Sequence, residues 1–145
     1  MQIMTLPAFR AVGLRIRTTS FSDDIPALWQ RFMPYMDFIL SSTPGITYGF
    51  MGEMSTANNT FTYMAAMAVA DDAVVDSTLD TWQIPAQRYA VFETSLPQMG
   101  TMFERIHGEL IPASGLKYGQ GPSFEYYGPE FDTPAQTFHI YIAIQ

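Results

Sequence analysis

Ile84-Pro-Ala-Gln-Arg88 repeats the pattern of Leu6-Pro-Ala-Phe-Arg10, and the run of elements after each copy decides the fold. After the first copy, Val12, Leu14 and Ile16 alternate with Gly13, Arg15 and Arg17, the pattern of a half-buried strand. Ser22-Asp23-Asp24 offers a helix N-terminus with Pro26 in the first turn. Ile25, Leu28, Trp29, Phe32, Met33 and Met36 then recur at helical spacing, with Pro34 shortening or kinking the helix. Thr43-Pro44-Gly45 breaks the chain before a strand over residues 47–53, and the Asn58-Asn59 turn leads into another over 61–69. The second copy leads into the same series. It comprises a strand over 89–94, a helical stripe of Met99, Met102, Phe103, Ile106 and Leu110, and strands over 123–128 and 138–144. Phe103-Glu-Arg-Ile106 also echoes Trp29-Gln-Arg-Phe32. Chance is the competing explanation, because the identities are few; the matched order of four elements favours tandem duplication with a period of about 77 residues. The expected fold is α+β in one domain over residues 1–145. Two β-α-β-β modules, about 1–70 and 82–145, flank an acidic linker at about 71–81. Antiparallel sheets with helices on one side and a pseudo-twofold axis place a central pocket at the seam. An offset of about 77 residues sets Tyr48 opposite Glu125 and Phe50 opposite Tyr127.

Composition narrows the function. The chain of 145 residues is 48% hydrophobic and only 14% charged, long enough and apolar enough to bury a core. Its net charge of −7 repels nucleic-acid phosphates, so direct DNA or RNA binding is not expected; a cationic small molecule or a basic protein is the natural partner. There are no cysteines, and His107 and His139 stand without ligand spacing, so neither thiolate chemistry nor a metal site is expected. No cofactor motif, nucleophile elbow, HExxH helix or P-loop is present. The first residues lack a basic, apolar leader and no run approaches the ~20 apolar residues of a membrane span, so the expected location is the cytoplasm.

The candidate site centres on Gly121-Pro-Ser-Phe-Glu-Tyr-Tyr-Gly128. Strand alternation puts Phe124 and Tyr126 on one face, and Ser123, Glu125 and Tyr127 on the other. On spacing alone, a solvated edge-strand glutamate is the simpler explanation. A carboxylate among aromatic faces is also suited to holding a delocalised cation.

These residues, with Pro112-Ala-Ser-Gly115 before them and Asp132-Thr-Pro134 and Ile140-Tyr-Ile142 after, resemble the GyrI-like effector-binding domain. So do Leu6-Pro-Ala-Phe-Arg10, Tyr48-Gly49 and Ile84-Pro-Ala-Gln-Arg-Tyr-Ala-Val91, and the resemblance spans essentially the whole chain. It implies two β-α-β-β modules around a pocket for lipophilic, often cationic compounds, as in the C-terminal sensor domains of AraC- and MerR-type transcription regulators. It also implies that Glu125 and Tyr48 are pocket residues. Tyr127, Phe50, Tyr63 and Trp82 complete the candidate ligand-binding set, while Trp29 and Phe103 read as core. The chain departs from the family pattern at Met64 and His139, where relatives carry acidic residues, and at Ala68 and Ala143, where many carry proline.

Three functions are compatible with this pattern. The leading one is a stand-alone domain that binds lipophilic cations, with no catalytic residue. A hydrolase of cyclopropane-type genotoxins would use the same pocket, as some members of the family do. A gyrase-inhibitor-type module would instead set its acidic surface against a regulator or gyrase-like protein.

Overall fold

The structure is a computed structural model describing residues 1–145. Eight strands form one antiparallel sheet: β1 (Gln2–Leu6), β2 (Phe9–Thr18), β3 (Thr47–Ser55), β4 (Thr60–Val69), β5 (Asp80–Ile84), β6 (Gln87–Ser95), β7 (Ser123–Tyr127) and β8 (Thr137–Ile144). Helix α1 (Asp24–Phe32) follows β2, and helix α2 (Met99–Arg105) follows β6. Pro34 ends the regular helix as expected: α1 stops at Phe32 and a 3₁₀ segment runs on over Met33–Phe38. At the other end, Ser22 Oγ accepts the Asp24 amide at 3.1 Å. No helix is long and apolar enough to cross a membrane.

The strand order is β1-β6-β8-β7-β3-β4-β2-β5. Outward from the centre it pairs β3 with β7, β4 with β8, β2 with β6 and β5 with β1, the twofold arrangement that duplication implies. The inner six strands lie where the sequence predicts. Two short strands were not expected: β1, and β5, which begins inside the acidic stretch. Each completes the opposite half, since β1 pairs with β6 and β5 pairs with β2. The four-element modules are therefore interlocked by exchanged edge strands.

This exchange curls the sheet. β1 and β2 are six places apart in the strand order, roughly 29 Å in a flat sheet. Only Pro7 and Ala8 connect them, which reaches no more than ~11 Å from Leu6 to Phe9. The edges must approach each other, and the inner face closes on a core of Tyr48, Phe50, Met64, Tyr89 and Phe124, with Leu6 of β1 and Trp82 of β5 from the two edges packed against it. The helices cover the outer face: α1 buries Leu28 and Phe32 against β2 and β4, and the α2 region buries Ile106 and Ile111 against β6 and β8.

The register locates the axis and corrects the offset. Aligning the halves on their Pro-Ala connectors makes Leu14 the counterpart of Phe92. Leu14 pairs with Ala65, and Ala65 pairs with Gly49. The equivalent steps run from Phe92 to Ile140 and from Ile140 to Glu125. Gly49, not Tyr48, is thus the counterpart of Glu125. Those two residues are also each other's partner across β3 and β7, so the pseudo-twofold axis passes between them. Thr47-Tyr-Gly-Phe-Met-Gly52 then lies on Ser123-Phe-Glu-Tyr-Tyr-Gly128.

A side chain at position 49 would occupy the space Glu125 already fills: a Cβ there overlaps Glu125 Oε1 and the Tyr63 hydroxyl. Gly49→Ala is expected to destabilise the fold by on the order of 1–3 kcal/mol as overpacking. In a Glu125→Ala background part of that cost should disappear. Denaturant melts of the four proteins in this cycle measure the difference, and an equal cost in both backgrounds would refute the steric account.

Candidate functional site

Glu125 lies at the middle of β7, on the outer face of the sheet and 6% exposed. Its carboxyl has no cationic partner. Two phenols meet it instead, both at Oε1: the Tyr63 hydroxyl donates at 2.6 Å and the Tyr127 hydroxyl at 3.0 Å. Tyr63 comes from β4 and is 1% exposed. The indole Nε1 of Trp29, on α1, donates to the Tyr63 hydroxyl at 2.9 Å, and its ring meets Tyr127 edge-on at 5.7 Å. A relay thus runs from indole to phenol to carboxyl, each bond polarising the next. Gly49 opposite leaves the room in which it closes.

Burial and hydrogen bonding oppose each other at this carboxyl. Burial penalises the ionised form and the two phenols favour it. Burial wins, and the Glu125 carboxyl is raised to about 7. Burial likewise holds the Tyr63 and Tyr127 hydroxyls well above their ordinary range, with the nearby carboxylate adding to it, so both remain donors.

The cluster sits beneath the seam between the helices. Phe21, just before α1, touches Phe103 of α2 edge-on with ring centres 6.3 Å apart. No residue of Met99–Arg105 is fully buried, and the helix continues through a π-turn over Ile106–Leu110. Met99, Met102, Phe103 and Tyr127 pack half-buried on the same apolar cluster. Neither of the two principal surface clefts includes Glu125, Tyr63, Tyr127 or Trp29. The site is a packed cluster under a lightly anchored helix.

Of the six candidates, Glu125, Tyr63 and Tyr127 come together. Tyr48, Phe50 and Trp82 do not join them. Strand alternation puts Tyr48 and Phe50 on the inner face, where Tyr48 stacks on Phe50 at 5.4 Å and both meet Phe124 at 5.5 Å. Trp82 lies 6.2 Å from Phe50, with the Arg15 guanidinium over its ring at 5.6 Å. In the Tyr48-Gly49 pair, it is the glycine that faces the carboxyl. Trp29, which reads as core from its helical stripe, was the member missed. Its available signal was the indole N–H, which needs an acceptor once the ring is covered.

A curved eight-stranded antiparallel sheet with two helices on one face is the fold of the GyrI-like effector-binding domains. Residues 2–144 match the family described as "Cass2: Integron-associated effector binding protein", and the chain belongs to that family. It is 33% identical over 136 residues to the transcriptional regulator BrlR of Pseudomonas aeruginosa, covering 92% of this chain and 50% of that protein. The chain thus spans half the length of that relative. Among solved structures, SAV2435 bound to tetraphenylphosphonium superposes over 99% of this chain and 93% of its own, with a TM-score of 0.75 and 18% identity. An integron cassette protein from the mobile metagenome of Vibrio cholerae superposes over 99% and 95%, with a TM-score of 0.72 and 18% identity. At those identities the structures establish the fold.

The raised carboxyl makes stability depend on pH. The native state holds the Glu125 proton between the unfolded value near 4.5 and the folded value of about 7, where the unfolded chain has released it. Stability from this group is therefore fully present below pH 4.5 and is lost as pH rises to about 7, a loss on the order of 3 kcal/mol. Gln keeps an acceptor for the two phenols and carries no charge. Glu125→Gln should match the parent near pH 4.5 and melt higher at pH 8. A melting difference that does not change between those pH values would remove the buried, neutralised carboxyl from the account.

Proposed function

We propose that this domain binds lipophilic monocations over the Glu125–Tyr63–Tyr127 cluster, and that it works in the cytoplasm as a sensing or sequestering domain linked to transcription regulation. The observation carrying this reading is the buried Glu125 carboxyl with no countercharge. A cation at ~4 Å from the carboxylate gains on the order of 4 kcal/mol at an effective dielectric of ~20. That offsets the cost of ionising the carboxyl, about 1.4 kcal/mol for each pH unit below its raised pKa of about 7. A neutral ligand gains no such offset, and an anion is repelled.

Oε1 already accepts both phenols, so Oε2 is the atom left to face a cation. The rings of Trp29 and Tyr127 add apolar contact and cation–π attraction of ~0.5–2 kcal/mol. Access runs through the helix seam, where α2 is the element that yields, its methionines adapting to ligands of different shape. Tyr48, Phe50 and Trp82 act from behind, as the packed inner face that keeps β3 and β7 in register. The likeness to SAV2435, solved with tetraphenylphosphonium, supports the ligand class, and the likeness to BrlR supports the link to transcription.

Calorimetric titration with tetraphenylphosphonium, triphenylphosphine oxide and tetraphenylborate tests the ligand class. The cation alone should bind, with affinity rising about tenfold per pH unit up to pH ~7 and levelling above, because below that pH binding must expel the Glu125 proton. Glu125→Gln should remove both the affinity and its pH dependence. Equal binding of the neutral oxide, or cation binding that survives Glu125→Gln, would defeat the reading.

A further inference from the structure

Away from the carboxyl cluster, the first half carries an apolar cleft of about 340 Å³. Its floor includes Val12, Val69 and Leu79; its walls are the 3₁₀ segment Met33–Phe38 with the residues after it, and the stretch 73–76. Three large apolar side chains at this cleft stand almost wholly in solvent: Phe38 is 87% exposed, Leu40 is 90% and Val74 is 102%. Single exposed apolar residues are ordinary, but three around one apolar cleft mark an interaction surface.

The charge around it is net negative, four carboxylates against one guanidinium. Asp76 lines the cleft, and Asp37, Asp71 and Asp72 adjoin its walls in the chain; all four are exposed. Asp76 Oδ1 accepts both the amide and the hydroxyl of Thr78, which holds this carboxyl below its ordinary range. The cation tied to this wall is Arg10, whose Nη1 donates to the carbonyl oxygens of Ala73 at 2.8 Å and Asp71 at 3.5 Å, leaving the four carboxylates in excess. An apolar trough with a carboxylate rim complements an apolar stripe flanked by lysine or arginine. A second copy of this chain would bring carboxylates against carboxylates, and an anionic membrane would be repelled likewise.

The backbone selects the form of the partner. One wall is a 3₁₀ segment, and the carbonyls of Asp71 and Ala73 in the other are already taken by Arg10. The walls therefore present side chains rather than an open strand edge, which suits a helix laid in a groove instead of an added strand. We infer that this cleft is a docking groove for a cationic amphipathic helix of another protein, separate from the carboxyl cluster. Apolar residues of that helix at i, i+3, i+4 and i+7 would cover Phe38, Leu40 and Val74, and its basic flanks would meet Asp37, Asp71, Asp72 and Asp76.

The probe is a fluorescein-labelled ~18-residue peptide with leucine at those positions and lysine elsewhere, read by anisotropy and circular dichroism. Micromolar binding with gain of helix is expected. A scrambled peptide of the same composition should bind about tenfold more weakly or worse, and a glutamate-for-lysine version should not bind. Phe38→Ser/Val74→Ser, both at exposed positions, should fold normally and lose at least about tenfold in affinity. Asp71→Asn/Asp72→Asn/Asp76→Asn should weaken binding and flatten its salt dependence. Glu125→Gln should leave peptide binding unchanged, so failure of the cation reading and failure of this one are distinguishable. Binding unaffected by the Phe38 and Val74 changes, or no binding at all, overturns the inference. So does a dimer in sedimentation that Phe38→Ser dissolves, since the groove would then belong to a second copy.

Discussion

Everything about this domain turns on the pair of residues that face each other across its pseudo-twofold axis. Gly49 and Glu125 are equivalent by duplication and are also mutual partners between β3 and β7. Side chains at two such positions compete for one space, so one residue must give it up. Glycine does so, and the glutamate folds into the vacated volume against Tyr63. The carboxyl is thereby held in the middle of a sheet under two helices, with phenols rather than a cation around it. Burial there raises its pKa against the two phenols, and in the proposed reading it is attraction to this uncompensated carboxylate that favours a cation over a neutral ligand of the same shape.

The two faces of the sheet divide the labour. The inner face is nearly pure hydrocarbon and ring, with Phe124 in contact with Phe50, Tyr48, Tyr89 and Tyr141 at centroid distances of 4.6–5.5 Å. Packing at that density tolerates little movement of β3 against β7. On the outer face Trp29 bonds to the carboxyl cluster, and the half-buried Met99, Met102 and Phe103 pack on the same apolar cluster as Tyr127. Rigidity lies behind the carboxyl and compliance in front of it. Precise placement of Oε1 and an adaptable cover are then properties of two different layers and do not compromise each other.

How far the sequence could be read depends on which interactions are local. The alternation in Ser123-Phe-Glu-Tyr-Tyr127 correctly put Glu125 and Tyr127 on one face, and the repeated Pro-Ala connectors announced the duplication. Which face of β3 joins that of Glu125 depends on the pairing of Gly49 with Glu125, a long-range register that no local pattern carries. An offset wrong by one residue exchanged Gly49 for Tyr48, and in a strand one residue means the other face. β1 and β5 escaped notice because five-residue edge strands have little alternation to show; the inward residues of β5 are only Trp82 and Ile84, at the end of an acidic stretch. Trp29 matched a core position and packs half-buried against the core, yet it also completes the hydrogen-bond relay. Spacing reports burial, not what a buried N–H is bonded to.

Duplication alone could not have made this site. Two identical halves would set two carboxylates on the axis, where they would overlap sterically and repel electrostatically. The cluster instead takes Trp29 and Tyr63 from the first half, and Glu125 and Tyr127 from the second. The counterparts of these four are Phe103, Phe138, Gly49 and Met51, none of which carries a polar side-chain hydrogen. The halves keep their shared backbone pairing because the curled sheet needs both exchanged edge strands. They differ in chemistry because the axis admits one carboxyl, and one carboxyl can be relieved by one monocation. The divergence of the two halves is therefore a condition of the site and not drift around it.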